Sequence, residues 1–134
     1  MNPLVQSFFD AATSTFTYVV YDRDGGHAAI VDPVLDFDPA AARISTASAD
    51  RVLAFVREHA LTVDWILETH AHADHLTAAA HLRRETGARV AIGRGISAVQ
   101  ARFKTRFGLE PDVPTDGSQF DRLFADGDEF AIGE

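Results

Sequence analysis

Val63-Asp64-Trp65-Ile66-Leu67-Glu68-Thr69 runs without a break into His70-Ala71-His72-Ala73-Asp74-His75, and this junction decides how the chain is read. The first half is rich in β-branched, aromatic and aliphatic residues over the length of one strand, and predicts a buried strand. The second half packs three of the six histidines and a carboxylate into six positions. Holding so many titratable groups together without a ligand is costly. Imidazole nitrogen and carboxylate oxygen are the donors that suit zinc, iron, manganese and nickel. The chain has no cysteine, so a thiolate site, a disulfide framework and a cysteine nucleophile are all excluded. On an extended segment His70 and His72 alternate onto one side and can grip a single ion. Asp74 and His75 sit where the chain turns toward the next element. They can address a second ion about 3.5–4 Å away, or Asp74 can act catalytically by orienting and deprotonating a metal-bound water. His27, His59 and His81 each stand alone in a strand or helix pattern and are read as structural.

Downstream, His75 to Thr86 is predicted as a helix closed by Gly87, followed by a strand at Arg89–Ile92 and a helix at Ser97–Phe107. Phe120–Ile132 reads as a strand pair turning at Asp126-Gly127-Asp128. Upstream, Thr13–Tyr21 and His27–Val31 form a predicted hairpin across Asp22-Arg23-Asp24-Gly25-Gly26. Asp32-Pro33 stops the second strand, and Asp36 to Ser48 lacks periodicity and reads as a loop. Ser48 is placed to cap a helix whose apolar residues Val52, Phe55, Val56 and Ala60 share one face, ending near Leu61. Strands alternating with helices in this order predict a mixed α/β sheet with helices on at least one face.

Composition bounds the class. The 134 residues are 46% hydrophobic and 24% charged, the make-up of one globular domain. Twelve Lys and Arg against twenty Asp and Glu give a net charge of −8, which argues against nucleic acid as a partner. No stretch approaches the ~20 apolar residues of a membrane span, and the N-terminus has no signal-peptide pattern, so no membrane partner and a cytoplasmic location are expected. Arg94, Arg102, Lys104 and Arg106 read as a solvated helix face.

The His-x-His-x-Asp-His string after a strand resembles the signature of the metallo-β-lactamase superfamily. The stretches Ile30-Val31-Asp32-Pro33-Val34-Leu35 and Glu68-Thr69-His70-Ala71-His72-Ala73-Asp74-His75-Leu76-Thr77 look like the branch holding persulfide dioxygenases, close to glyoxalase II-type thioester hydrolases. The resemblance implies an αββα sandwich with metal at one edge. It implies that His70 and His72 serve a first metal site and Asp74 and His75 a second in dinuclear hydrolases. In the dioxygenases it implies a mononuclear Fe(II) site of two His and one Asp. There His70 is the ligand within this stretch, and His72, Asp74 and His75 shape its surroundings. Asp32 and Thr69 are expected to support the metal loop rather than bind the ion. The implied cofactor is Fe(II), with Zn²⁺ as the alternative. The implied substrate is a glutathione-based thiol or thioester: glutathione persulfide oxidised by O₂ to sulfite, or a thioester hydrolysed with Asp74 positioning the water. A non-catalytic metal-binding or interaction module is the reading from a different class.

The resemblance also calls for a later His, a bridging Asp and a last His, yet the sequence has no histidine after His81. The expectation is that residues 1–134 form the N-terminal part of one such domain with its C-terminal half missing. Weak metal binding, little or no turnover and self-association as a homo-oligomer through uncovered apolar surface follow from that expectation.

Overall fold

The computed structural model of the protein describes residues 2–133. Nine strands and three helices are found among them: β1 (Leu4–Asp10), β2 (Thr15–Tyr21), β3 (His27–Val31), β4 (Val34–Asp38), β5 (Arg43–Ser45), α1 (Ala47–Glu58), β6 (Thr62–Leu67), β7 (Leu76–Thr77), α2 (Ala79–Thr86), β8 (Arg89–Gly93), α3 (Ile96–Phe107) and β9 (Arg122–Phe124). One six-stranded sheet runs β1-β2-β3-β6-β8-β9, and a small sheet runs β5-β4-β7. The hairpin strands β1, β2 and β3 pair antiparallel, whereas β3, β6, β8 and β9 run parallel.

Alternation along the central strands sends side chains to two separate clusters. Ala28, Ile30, Val63, Ile66 and Val90 meet Val52, Leu53 and Val56 of α1 and Leu82 of α2 in the main core. Ala29, Trp65 and Ala91 form a second cluster with Leu67, Phe124 and Ile132. Trp65 is 2% exposed, and its indole Nε1 donates to the Ala131 carbonyl at 3.1 Å, which ties the last described residues to the sheet. No helix among the described residues is long and apolar enough to cross a membrane.

Several elements differ from the sequence expectation. Leu4–Asp10 adds an edge strand before the predicted hairpin; exposed along most of its length, it carries little burial alternation to reveal it. The predicted loop at 36–48 contains the end of β4 and all of β5, held by Asp36↔Ser45, Phe37↔Ile44 and Asp38↔Arg43. These strands are too short and too exposed to show a period. Helix α1 begins at Ala47 and ends at Glu58 rather than near Leu61, with Thr46 rather than Ser48 at its N-cap. The helix predicted from His75 starts only at Ala79, because Leu76 and Thr77 are drawn into pairing with Leu35 and Val34. Among the described residues, 120–132 contain one strand, β9, instead of a pair; Asp126 to Asp128 form a turn that no second strand follows.

This topology positions a site at the carboxyl ends of the parallel strands, where open α/β sheets bind ligands. Asp32 follows β3 and Glu68 follows β6; the Asp32 amide donates to the Leu67 carbonyl at 2.9 Å and the Glu68 amide to the Ala91 carbonyl at 3.0 Å. Residues 68–77 therefore leave one sheet at β6 and rejoin the other at β7, fixed at both ends.

Candidate metal centre

The loop from Glu68 to His75 lies beyond the last paired residue of β6, so its histidines are held by side-chain contacts and not by strand geometry. His70 and His72 nonetheless face one another, with ring centroids 4.3 Å apart, and His72 and His75 are 4.1 Å apart. One ligand atom each from His70, His72 and Asp74 lies within 4.8 Å of the others.

The hydrogen bonds decide which atom of each ring remains free. His72 Nε2 lies 3.0 Å from Asp32 Oδ1 and 2.8 Å from Glu68 Oε2. Both partners accept, so Nε2 carries the proton and the lone pair sits on Nδ1, 3.9 Å from Asp74 Oδ1. The Thr69 hydroxyl donates to Asp32 Oδ2 at 2.7 Å and therefore accepts from His70 Nδ1 at 2.8 Å, which leaves the lone pair of His70 on Nε2. His75 Nδ1 faces Asp74 Oδ2 at 3.3 Å and Thr15 Oγ1 at 3.4 Å. Its Nε2 is buried with no hydrogen-bond partner among the described residues. A buried imidazole nitrogen left unpaired is costly unless a ligand takes it up. The lone pairs of His70 and His72 and the Asp74 oxygen Oδ1 thus stand uncommitted in one loop, a donor set that fits a divalent transition metal, while the buried Nε2 of His75 lies outside that group.

Two carboxylates prepare this arrangement. Asp32 adopts φ 49°, in the left-handed region that Asp tolerates better than most residues. It accepts from the Thr69 amide at 2.8 Å, from the Thr69 hydroxyl and from His72. Glu68 is 6% exposed; burial pushes its carboxyl above the usual range, while hydrogen bonds from the Thr77 hydroxyl and from His72 oppose that rise. Asp74 is shifted the other way, to about 2, through hydrogen bonds from His75, from its own backbone and from the Thr15 hydroxyl at 3.0 Å. It is ionised at neutral pH, as a metal ligand or a water-orienting base must be.

Every site residue expected from the sequence lies in or against this loop: His70, His72, Asp74 and His75 within it, Thr69 beside it, and Asp32 across from it. Asp32, Glu68 and His72 also form a compact group of potential ligand atoms. Their mutual hydrogen bonds already use His72 Nε2, so this group orients the ring. Glu68, Thr77 and Thr15 were not reached by sequence reasoning. An ionisable residue ending the apolar run Trp65-Ile66-Leu67 was the available signal for Glu68. Thr15 lies 59 residues from Asp74 and gave none. His27, His59 and His81 pair with Asp64, Asp24 and Asp50, away from the loop.

Residues 11–133 match the metallo-beta-lactamase superfamily. The chain is 48% identical over 129 residues to a probable metallo-hydrolase of Burkholderia pseudomallei, covering 96% of this chain and 44% of that protein. It is 28% identical over 130 residues to the human mitochondrial persulfide dioxygenase ETHE1, covering 97% of this chain and 39% of the human protein. The crystal structure of ETHE1 from Myxococcus xanthus superposes with a TM-score of 0.54 at 36% identity, over 66% of this chain and 34% of that one. The chain spans less than half the length of these relatives. With its histidine loop at the carboxyl edge of a mixed sheet and a family match that runs through nearly all of its length, the chain belongs to the metallo-β-lactamase superfamily.

Proposed function

We propose that this chain carries the histidine loop of a metal-dependent persulfide dioxygenase, which oxidises glutathione persulfide to sulfite with O₂ at Fe(II). The observation that carries metal dependence is the uncommitted lone pairs of His70 and His72 beside an ionised Asp74, their ligand atoms within 4.8 Å of one another. The dioxygenase branch is favoured by the 36% identity to the Myxococcus xanthus ETHE1 structure and by the chain-long similarity to the human persulfide dioxygenase. The overall change consumes one O₂ and one water per persulfide and releases the thiol, sulfite and two protons. Bound Fe(II) supplies the activation of O₂ that this oxidation needs.

The protein's own residues supply the setting. His70 Nε2 would hold the ion, and Asp32 and Glu68 keep the His72 ring turned so that its Nε2 is engaged and its Nδ1 free. Asp74, ionised and fixed by Thr15, accepts a hydrogen bond from a thiol or water entering beside it and so orients it. The loop contributes all of these donors from a single short segment, so this chain by itself is expected to hold the ion weakly and turn over little.

A second reading has its own support: hydrolysis of a glutathione thioester at Zn²⁺, where Asp74 Oδ1 and His75 Nε2 serve a second ion. It is favoured by the 48% identity to the relative named a metallo-hydrolase. The test is metal analysis of the protein as its native host makes it, with O₂ uptake on glutathione persulfide measured beside thioester hydrolysis. Iron with stoichiometric O₂ uptake supports the dioxygenase; zinc with thioester cleavage and no O₂ uptake overturns it.

A further inference from the structure

Between the metal loop and the β4–β5 hairpin lies a cavity of about 730 Å³, within the size range of small-molecule sites. Val34, Leu35 and Leu76 give it apolar lining, and Asp74 and His75 of the metal loop line it too. Asp10, Asp36, Asp38 and Arg43 also line it, and they differ in how much of their hydrogen-bonding capacity is committed. Both oxygens of Asp36 accept from Ser48, one from its amide at 2.8 Å and the other from its hydroxyl at 2.6 Å. Asp10 accepts from the Thr13 amide and hydroxyl through Oδ2 alone. Asp38 accepts from the Ala40 and Ala41 amides through Oδ1 alone. Arg43 lines the same cavity and makes no ion pair or side-chain hydrogen bond among the described residues. Asp38 and Arg43 are register partners across β4 and β5, so their side chains leave the hairpin on the same side. They nevertheless do not close onto each other. The hairpin thus offers a guanidinium and a free carboxylate oxygen, Oδ2 of Asp38, side by side.

We propose that this cavity is the docking site for the zwitterionic amino-acid end of a thiol-bearing peptide, with Arg43 pairing its carboxylate and Asp38 its ammonium, so that the sulfur is directed toward Asp74 and His75. The γ-glutamyl end of glutathione has this pattern, an ammonium and a carboxylate on one carbon. The apolar lining accommodates the intervening methylenes. The direction of the sulfur rests on the function proposed above; the recognition of the charged end does not. Arg43 suits this role because its planar fork can bind a carboxylate through two parallel hydrogen bonds.

The experiment is calorimetric titration of reduced glutathione into the purified protein and its variants. R43Q is expected to weaken glutathione binding about tenfold or more, the loss typical of a charge-assisted hydrogen bond, with part of the affinity retained in R43K. D38N is expected to weaken glutathione binding without further weakening that of N-acetylglutathione, which lacks the ammonium. In turnover, R43Q is expected to lower kcat/KM for glutathione persulfide about tenfold relative to the uncharged persulfide of 2-mercaptoethanol, with the loss in KM. Wild-type glutathione affinity in R43Q, or an equal loss for charged and uncharged thiols, overturns the proposal. Arg43-dependent glutathione binding in a protein that neither oxidises persulfides nor cleaves thioesters leaves the cavity assignment standing and removes the functional one. Persulfide oxidation with Arg43-independent binding does the reverse.

Discussion

His72 shows how much of the site is carried by residues that touch no ion. Its Nδ1 is available only because Asp32 and Glu68 both claim the proton on Nε2. Ligand histidines in metal proteins are commonly oriented this way, and removing such a partner typically costs 10–100-fold in metal affinity. D32N tests the point cleanly. Asn tolerates the φ of 49° at this position as Asp does, so the backbone is retained, while the charge that fixes His72 and Thr69 is lost. We expect D32N to keep the wild-type circular dichroism spectrum and to bind Zn²⁺ or Co²⁺ roughly 10–100-fold more weakly in competition with a chromophoric chelator. Unchanged affinity would show that Asp32 serves only the turn at Pro33. That His70, His72, Asp74 and His75 share one loop was legible in the sequence, because type and spacing alone carry that signal. Glu68, Thr77 and Thr15 were not, since their roles depend on which distant segments the fold brings together.

At the scale of elements, the loops that sequence periodicity passes over are the ones that set the site's walls. Asp36 shows why the segment at 36–48 is ordered. From β4 it satisfies the Ser48 amide near the start of α1, where no local side chain caps the helix. It thereby stands in for a cap from 12 residues away. D36A is expected to lower stability by about 1–2 kcal/mol in chemical denaturation, the usual cost of losing a cap, and to loosen β5 with it. The β2–β3 turn gives a pH test. Asp22 accepts from the His27 amide at 2.7 Å and the Arg23 amide at 2.8 Å, and these contacts, the His27 amide foremost, hold its carboxyl below the ordinary 3.8. A carboxyl depressed by folding adds stability above its unfolded pKa and loses it as the pH falls through the folded one. The Tm of wild type should therefore exceed that of D22N near neutrality, and the gap should close on acidification below 3.8. A gap that persists or widens in acid contradicts the assignment. Gly87 was correctly expected to end α2: its φ is 74°, and G87A is expected to cost about 1–2 kcal/mol although nothing lies within 4 Å of the added Cβ. The late start of α2 was not legible, because it depends on β7 finding β4 across the chain.

Across the whole molecule, the histidine loop draws on segments that meet only on folding. Asp32 comes from the end of β3, Glu68 from the end of β6, Thr15 from the start of β2, and the loop's exit is fixed by the pairing of β7 with β4. The α/β class was legible from the alternation of elements, whereas this convergence was not, because strand order is decided by tertiary packing. An ion that needs the assembled loop binds the folded chain in preference to the unfolded one and must stabilise it by mass action. At a free metal concentration 100-fold above Kd the gain is about 2.7 kcal/mol. For a chain of this size that raises Tm by roughly 10 °C. Trp65, buried beside the contacting rings of Phe124 and Phe130, provides the fluorescence signal for unfolding. We expect added Zn²⁺ or anaerobic Fe(II) to raise Tm in wild type, a chelator to reverse the rise, and H70A, which removes an exposed ring bonded to the Thr69 hydroxyl and leaves His72 with Asp32 and Glu68, to show a much smaller rise while melting near metal-free wild type. The rise should grow with the logarithm of the free metal concentration once that exceeds Kd. A Tm indifferent to metal in wild type, or an equal rise in H70A, would mean that the free lone pairs of this loop do not constitute a metal site.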